Sequence, residues 1–149
     1  MPVTMKQVRA HLDRDEPDYP AAAQLGANAL PHLAQLVQGT DPMLASKAAY
    51  LASLIQSDRS IAVLEQAANS SHKEVRIAAA AGVRNLKQAP ISLVDTLLRD
   101  PDVGVRKVTL RSIEAQSMKG FKIKIEEIAK KDSDGFIRIL ASQIANRLH

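Results

Sequence analysis

The residues whose types could do chemistry are few and scattered. Four histidines, His11, His32, His72 and His149, stand apart from one another. No two are four residues apart and no His-Glu-x-x-His occurs, so no helix offers a ready zinc pair. A metal site needs several convergent ligands, and each histidine is read as a surface residue. There is no cysteine, which excludes disulfides, thiolate-zinc sites, iron–sulfur clusters and a thiol nucleophile. The 6 glycines are dispersed and form no phosphate-cradling loop, and no Gly-x-Ser-x-Gly elbow is present. Glu126-Glu127 and Asp132 with Asp134 come nearest to a carboxylate pair. The first suits a solvated helix and the second a turn. Tyr19, Tyr50, Phe121 and Phe136 are all the aromatics, too few for reading a nucleobase by stacking. These residues assign no catalytic group, no metal and no cofactor, and the chain reads as not an enzyme.

The frame that would hold any site is bounded by composition. The 149 residues suffice for one domain. Hydrophobic residues at 46% and charged residues at 24% are globular proportions. With aromatics at 3%, the core must be built from Ala, Leu, Ile and Val. The apolar runs fall short of the roughly 18 residues of a membrane span. The start, MPVTMKQVRAHLDRDE, lacks the apolar stretch of a signal peptide. A soluble, cytoplasmic protein is expected. The net charge of +4 is lopsided: residues 1–69 hold 5 bases against 7 acids, net −2, and residues 70–149 hold 15 against 9, net +6. A basic half favours an acidic partner or weak nucleic-acid contact.

An internal repeat organises the chain. Four segments align: DPMLASKAAYLASLI from Asp41, SSHKEVRIAAAAGV from Ser70, DPDVGVRKVTLRSI from Asp100 and DSDGFIRILASQIA from Asp132. Their first positions are 29, 30 and 32 residues apart. Six residues on comes a base: Lys47, Arg76, Arg106 or Arg138. Each segment follows another apolar stretch, as in Ile61, Leu64, Ala67, Ala68 and Ile91, Val94, Leu97, Leu98. Apolar residues recur at three and four, never steadily at two, so each unit is two helices joined by a turn. Pro42 and Pro101 fit a turn or first helical position, and Pro31 and Pro90 mark the starts of first helices. Thr4 and Gln7 have capping-box spacing, and a second stripe from Tyr19 ends at Gly26, a C-cap candidate. The expected organisation is one domain over 1–149: a capping helix pair over 1–27 and four repeats over 28–149.

The motif Asp100…Val105-Arg106, with Glu74-Val75-Arg76-Ile77 leading into an Ala-rich helix, resembles a HEAT repeat. The short period is similar to bacterial HEAT-like repeats of the phycobilin lyase type. The resemblance implies an all-α, α-α superhelix of about five helix pairs. It also implies that the repeated acid and base pair within and between repeats as a ladder. Here the pairs would be Asp41/Lys47, Asp100/Arg106 and Asp132/Arg138, with Ser70 in place of the acid facing Arg76. An Asp at a helix start caps free N–H groups, and an Arg fork can bridge two turns.

Advancing 100° per residue from the ladder base divides each second helix into two sides. Val75, Ala79, Val83 and Leu86, and likewise Val105, Thr109 and Ile113, face the first helix. The opposite side carries Ala48, Ala52 and Ile55, then Ile77, Ala81 and Arg84, then Lys107, Arg111 and Glu114, then Ile139, Gln143 and Asn146. In a HEAT-like stack that side lines the concave face, and it is the expected binding strip. The expectation is a non-catalytic interaction module or adaptor that takes another protein or an acidic peptide on this strip. Nucleic-acid binding through the basic half, and a lyase-like or DNA-repair activity by fold analogy, are the alternatives. The oligomeric state is not fixed by the sequence.

Overall fold

A computed structural model describes residues 2–148. The described residues hold ten α-helices and no strand. They are α1 (Met5–Leu12), α2 (Tyr19–Ala23), α3 (Leu30–Val37), α4 (Pro42–Leu54) and α5 (Asp58–Ala68). The second half adds α6 (Lys73–Gly82), α7 (Ile91–Leu98), α8 (Val103–Ala115), α9 (Lys122–Lys131) and α10 (Gly135–Arg147). Odd-numbered helices pair with the even-numbered ones that follow, as α3 with α4 and α9 with α10. The even helices also form a row, α2 on α4, α4 on α6, α6 on α8 and α8 on α10. This is the all-α HEAT-like solenoid that the repeat implies. No described helix is long and apolar enough to cross a membrane.

Local chemistry sets the helix boundaries. Gln7 N–H donates to Thr4 Oγ1 at 3.2 Å while Thr4 N–H donates to Gln7 Oε1 at 2.9 Å, a complete capping box. Asp18, Asp102 and Asp134 cap α2, α8 and α10 by accepting the N–H three residues on, at 3.1, 3.1 and 2.9 Å. Asp41 caps α4 through Met43 and Leu44 N–H, and Pro42 follows it at the first helical position. Gly26 sits at φ +74°, where a side chain would be strained, and turns the chain from α2 into α3.

The core runs the length of the stack between odd and even helices. Leu33, Leu64, Leu97 and Ile125 come from odd helices, and Leu51, Leu110, Ile113, Ile137 and Ile144 from even ones. Burying each such side chain contributes about 1.5–3 kcal/mol. Val75, Ala79, Val83, Val105, Thr109 and Ile113 are fully buried, on the side facing their first helices. Ser112 Oγ donates to the Ala80 carbonyl at 2.6 Å, which ties α8 to α6 inside the core. At Gly82 a Cβ would lie 2.7 Å from Ser53 Cβ, so α4 and α6 approach as closely as they do only because no side chain stands there.

The first repeat is in a different register from the expected one. The N-caps of the even helices are Asp41, His72, Asp102 and Asp134, spaced 31, 30 and 32 residues. Their C-caps, Ile55, the Leu86 that ends the 3-10 turn after α6, Gln116 and Leu148, keep the same spacing. Asp41 therefore corresponds to Asp102 and not to Asp100. Ala45, not Lys47, occupies the place of Arg76 and Arg106. This two-residue shift corrects the strip at its start. Ala48, Ala52 and Ile55 are buried at 0%, 0% and 4% exposure, because they match the core residues Ala79, Val83 and Leu86. Tyr50, three residues past Lys47, falls at the core position of Ala79 and Thr109 in the expected register, and it is only half-buried.

Candidate functional site

The open side of α4, α6, α8 and α10 carries both apolar and charged groups along the stack. In the corrected register, Ser46, Tyr50 and the buried Ser53 take the place expected for Ala48, Ala52 and Ile55, with Met43 and Lys47 beside them. Next come Ile77, Ala81 and Arg84, all half-buried, then Lys107 and Arg111, exposed, with Glu114 half-buried. Ile139, Gln143 and Asn146 follow on α10, all exposed. Met43, Val103, Phe136 and Ile139 are exposed large apolar side chains on this face or its edge, Met43 at 69%.

At the N-terminal end of the face lies a groove of about 830 Å³ between α2, α4 and α6. That volume is within the 300–1,000 Å³ range, roughly, of small-molecule sites. Tyr19 from α2 meets Tyr50 from α4 edge to face, with ring centroids 5.0 Å apart at 74°. Met43, Ile77 and Ala78 complete the apolar wall. Burial, and then the neighbouring Tyr50, hold the Tyr19 phenol above its ordinary pKa. Lys47 lines the groove and donates to the carbonyls of Leu12 at 3.1 Å and Arg14 at 2.7 Å. An ammonium has three donors, so one remains, with the whole charge, for an anion in the groove. Asp41 turns its carboxylate to the backbone of α4. His72 and Glu74 stand exposed on the wall.

The other half of the face is bound up in ion pairs. Glu114 accepts from Arg147 at 2.5 Å and from Arg111 at 3.3 Å. The hydrogen bond from Arg147, followed by that from Arg111, holds its carboxyl below the ordinary range against the opposing effect of burial. Lys107 Nζ lies 5.2 Å above the Phe136 ring. The Arg84 side chain has a buried Nε with no partner among the described residues.

The ladder residues take a definite arrangement. Arg76 donates to Asp100 at 2.8 Å and Arg106 to Asp132 at 3.0 Å, each reaching the next repeat. Within a repeat, the partner is a backbone carbonyl six residues back: Ser70 for Arg76, Asp100 for Arg106 and Asp132 for Arg138, at 3.0, 3.0 and 2.6 Å. Asp41 and Lys47 do not pair with each other, and their roles are the α4 cap and the tie to the α1–α2 turn. Asp100 and Asp132 also accept the N–H of Asp102 and Asp134, each at 2.9 Å. Each carboxylate thus fixes the turn whose next residue caps the following helix.

No group of three or more metal-ligating side chains occurs among the described residues. His32 Nε2 is bonded to the Val3 carbonyl at 2.7 Å, and His11 is half-buried on α1. His149 lies outside the described residues. The groove residues Tyr19, Met43 and Tyr50 escaped sequence reasoning. The missed signal was Met43: two residues after the ladder acids Asp100 and Asp132 comes a capping aspartate, Asp102 or Asp134, whereas two residues after Asp41 comes Met43, whose side chain cannot cap a helix.

No family model and no curated protein matches the sequence. Among solved structures, the chain is similar to the complex of CpcE and CpcF of phycocyanin lyase from Nostoc sp. PCC7120. The identity is 20%, the TM-score 0.73, and the match covers 94% of this chain and 96% of that one. The likeness is one of fold. It corrects the expectation of a non-catalytic adaptor that is not an enzyme. The solved chain that the stack matches nearly end to end is part of a phycocyanin lyase complex.

Proposed function

We propose that the chain is a subunit of a lyase-type system and that its groove between α2, α4 and α6 holds a flat, conjugated, carboxylate-bearing ligand of the bilin class. The observation that carries the reading is the groove itself, on a stack similar over 94% of its length to one in a phycocyanin lyase. Two phenol rings and the Met43 thioether suit a conjugated surface. The Lys47 ammonium, with a donor to spare, suits a carboxylate. A second protein is part of the proposal, because that solved structure is a complex of two proteins. The function of the chain is then to hold the ligand and present it.

Nucleic-acid binding draws less support. Arg76, Arg106, Arg111 and Arg147, with Arg99, Lys124 and Lys131, are committed to carboxylates, seven of the 15 bases of the basic half. Few of these charges remain to release counterions from phosphates.

The test uses the purified chain and biliverdin, an open-chain tetrapyrrole. Binding should shift the biliverdin absorption band and quench tyrosine fluorescence. Tyr50→Ala, and Ala78→Trp placed to fill the groove, should each weaken the titration by tenfold or more while the helical circular dichroism is kept. A flat titration of the parent chain, or variants that bind like the parent, would overturn the reading.

A further inference from the structure

Two residues that stand at ladder positions, Arg138 and Glu16, are in no ion pair among the described residues. Arg138 stands four residues past its N-cap, as Arg76 and Arg106 do. It makes the same backward bond to a carbonyl, that of Asp132. Arg76 and Arg106 use the rest of the fork on a carboxylate of the next repeat. Among the described residues no carboxylate meets the fork of Arg138. Position 142, on the same side of α10, is equivalent to Ala49, Ala80 and Leu110, which the following repeats bury. There the chain has Ser142, small and exposed.

At the other end, α2 continues the row of even helices onto α4, and α1 packs on α3. The N-cap of α2 is Asp18, with the same bonding pattern as Asp102 and Asp134. The ladder acids Asp100 and Asp132 stand two residues before their N-caps, and two residues before Asp18 stands Glu16. Glu16 is exposed and in no ion pair among the described residues. It belongs to the turn Asp13-Arg14-Asp15-Glu16-Pro17-Asp18, with four acids against one base. Arg138 belongs to the half of the chain whose net charge is +6.

We infer that the two ends are complementary, and that a second copy of this chain stacks head to tail, the Arg138 fork of one copy taking the Glu16 carboxylate of the next as an additional rung. Such a contact is heterologous, so copies add in line wherever the rotation between them closes no ring. The joint is more solvated than the internal ones, with Ser142 where they have Ala or Leu, and its charges are screened by salt. Association is therefore reversible, and strongest at low ionic strength.

The experiment is sedimentation velocity on the full chain alone, from micromolar to millimolar concentration, at low and at raised salt. The weight-average mass should rise with concentration and fall back with salt. Glu16→Arg removes the acceptor without touching any intrachain bond, and it should leave the chain monomeric. Arg138→Glu should do the same. An equimolar mixture of the two variants restores an opposite-charge pair at every joint, and it should associate again although neither variant does alone. A parent chain that stays monomeric throughout would overturn the inference and return the ends to another protein or to solvent. So would association that Glu16→Arg leaves unchanged, which would point to a different face.

Discussion

Ala52 and Ala81 carry the same side chain in opposite surroundings. Ala52 is fully buried between helices, while Ala81 is half-exposed on the open face. A bulky residue at Ala52 must displace packed neighbours at a cost of about 1–3 kcal/mol or more. Urea midpoints should fall sharply for Ala52→Trp and hardly at all for Ala81→Trp. Ile113→Ala should cost about 2–5 kcal/mol through lost burial and the cavity left behind. Glu114 and Asp95 add a pH dependence. Hydrogen bonds from Arg147 and Arg111 hold Glu114, and one from Lys124 holds Asp95, below the ordinary carboxyl range. A carboxyl depressed in the folded state binds its proton more readily in the unfolded state. Its contribution is present above the unfolded pKa and is lost as pH falls through the folded one. Urea midpoints measured from neutral to acid pH should fall for the parent and fall less for Glu114→Gln.

The helix pairs are held in series by a chain of turn contacts. Arg106 joins the Asp100 carbonyl of its own turn to the Asp132 carboxylate of the next, and Asp132 then fixes the turn capped by Asp134. Arg106 and Asp132 are 12% and 8% exposed at the side chain, so solvent screens little of the pair. Arg106→Ala should destabilise by about 1.5–3 kcal/mol, the range for hydrogen bonds to charged groups. Arg106→Lys should rescue little of it, because a point ammonium cannot span both partners. Arg138→Ala should cost less, having only the backward bond to lose. At this scale most of the fold was legible. Helical spacing, Thr4 with Gln7, and the recurrent Val-Arg pair carried the helix pairs and their core sides. The register of the first repeat was not, because Asp serves two turn positions here. As a ladder acid it stands two residues before the N-cap, and as a cap it stands on it. A single aspartate at Asp41, with Gly39 two residues earlier, fits either position by type. The aromatic wall was lost with it, since the two-residue slip sent Tyr50 into the core and Ala48, Ala52 and Ile55 out of it.

Across the molecule, charge and apolar surface are divided along the open face. Its C-terminal part spends its bases on Glu114 and on the Phe136 ring. Its N-terminal part leaves Lys47 without a carboxylate, beside an apolar wall that includes Met43 at 69% exposure. On the proposed function, a flat acidic ligand is drawn to the groove between α2, α4 and α6 and not to the basic half that the net charge favours. The most direct measurement is the methyl chemical shifts of the chain on adding biliverdin, whose ring currents act only over a few ångströms. Shifts are expected at Met43, Ile77 and Ala78, with Val103 and Ile139 unmoved. Shifts centred on Val103 and Ile139, or none at all, would contradict it.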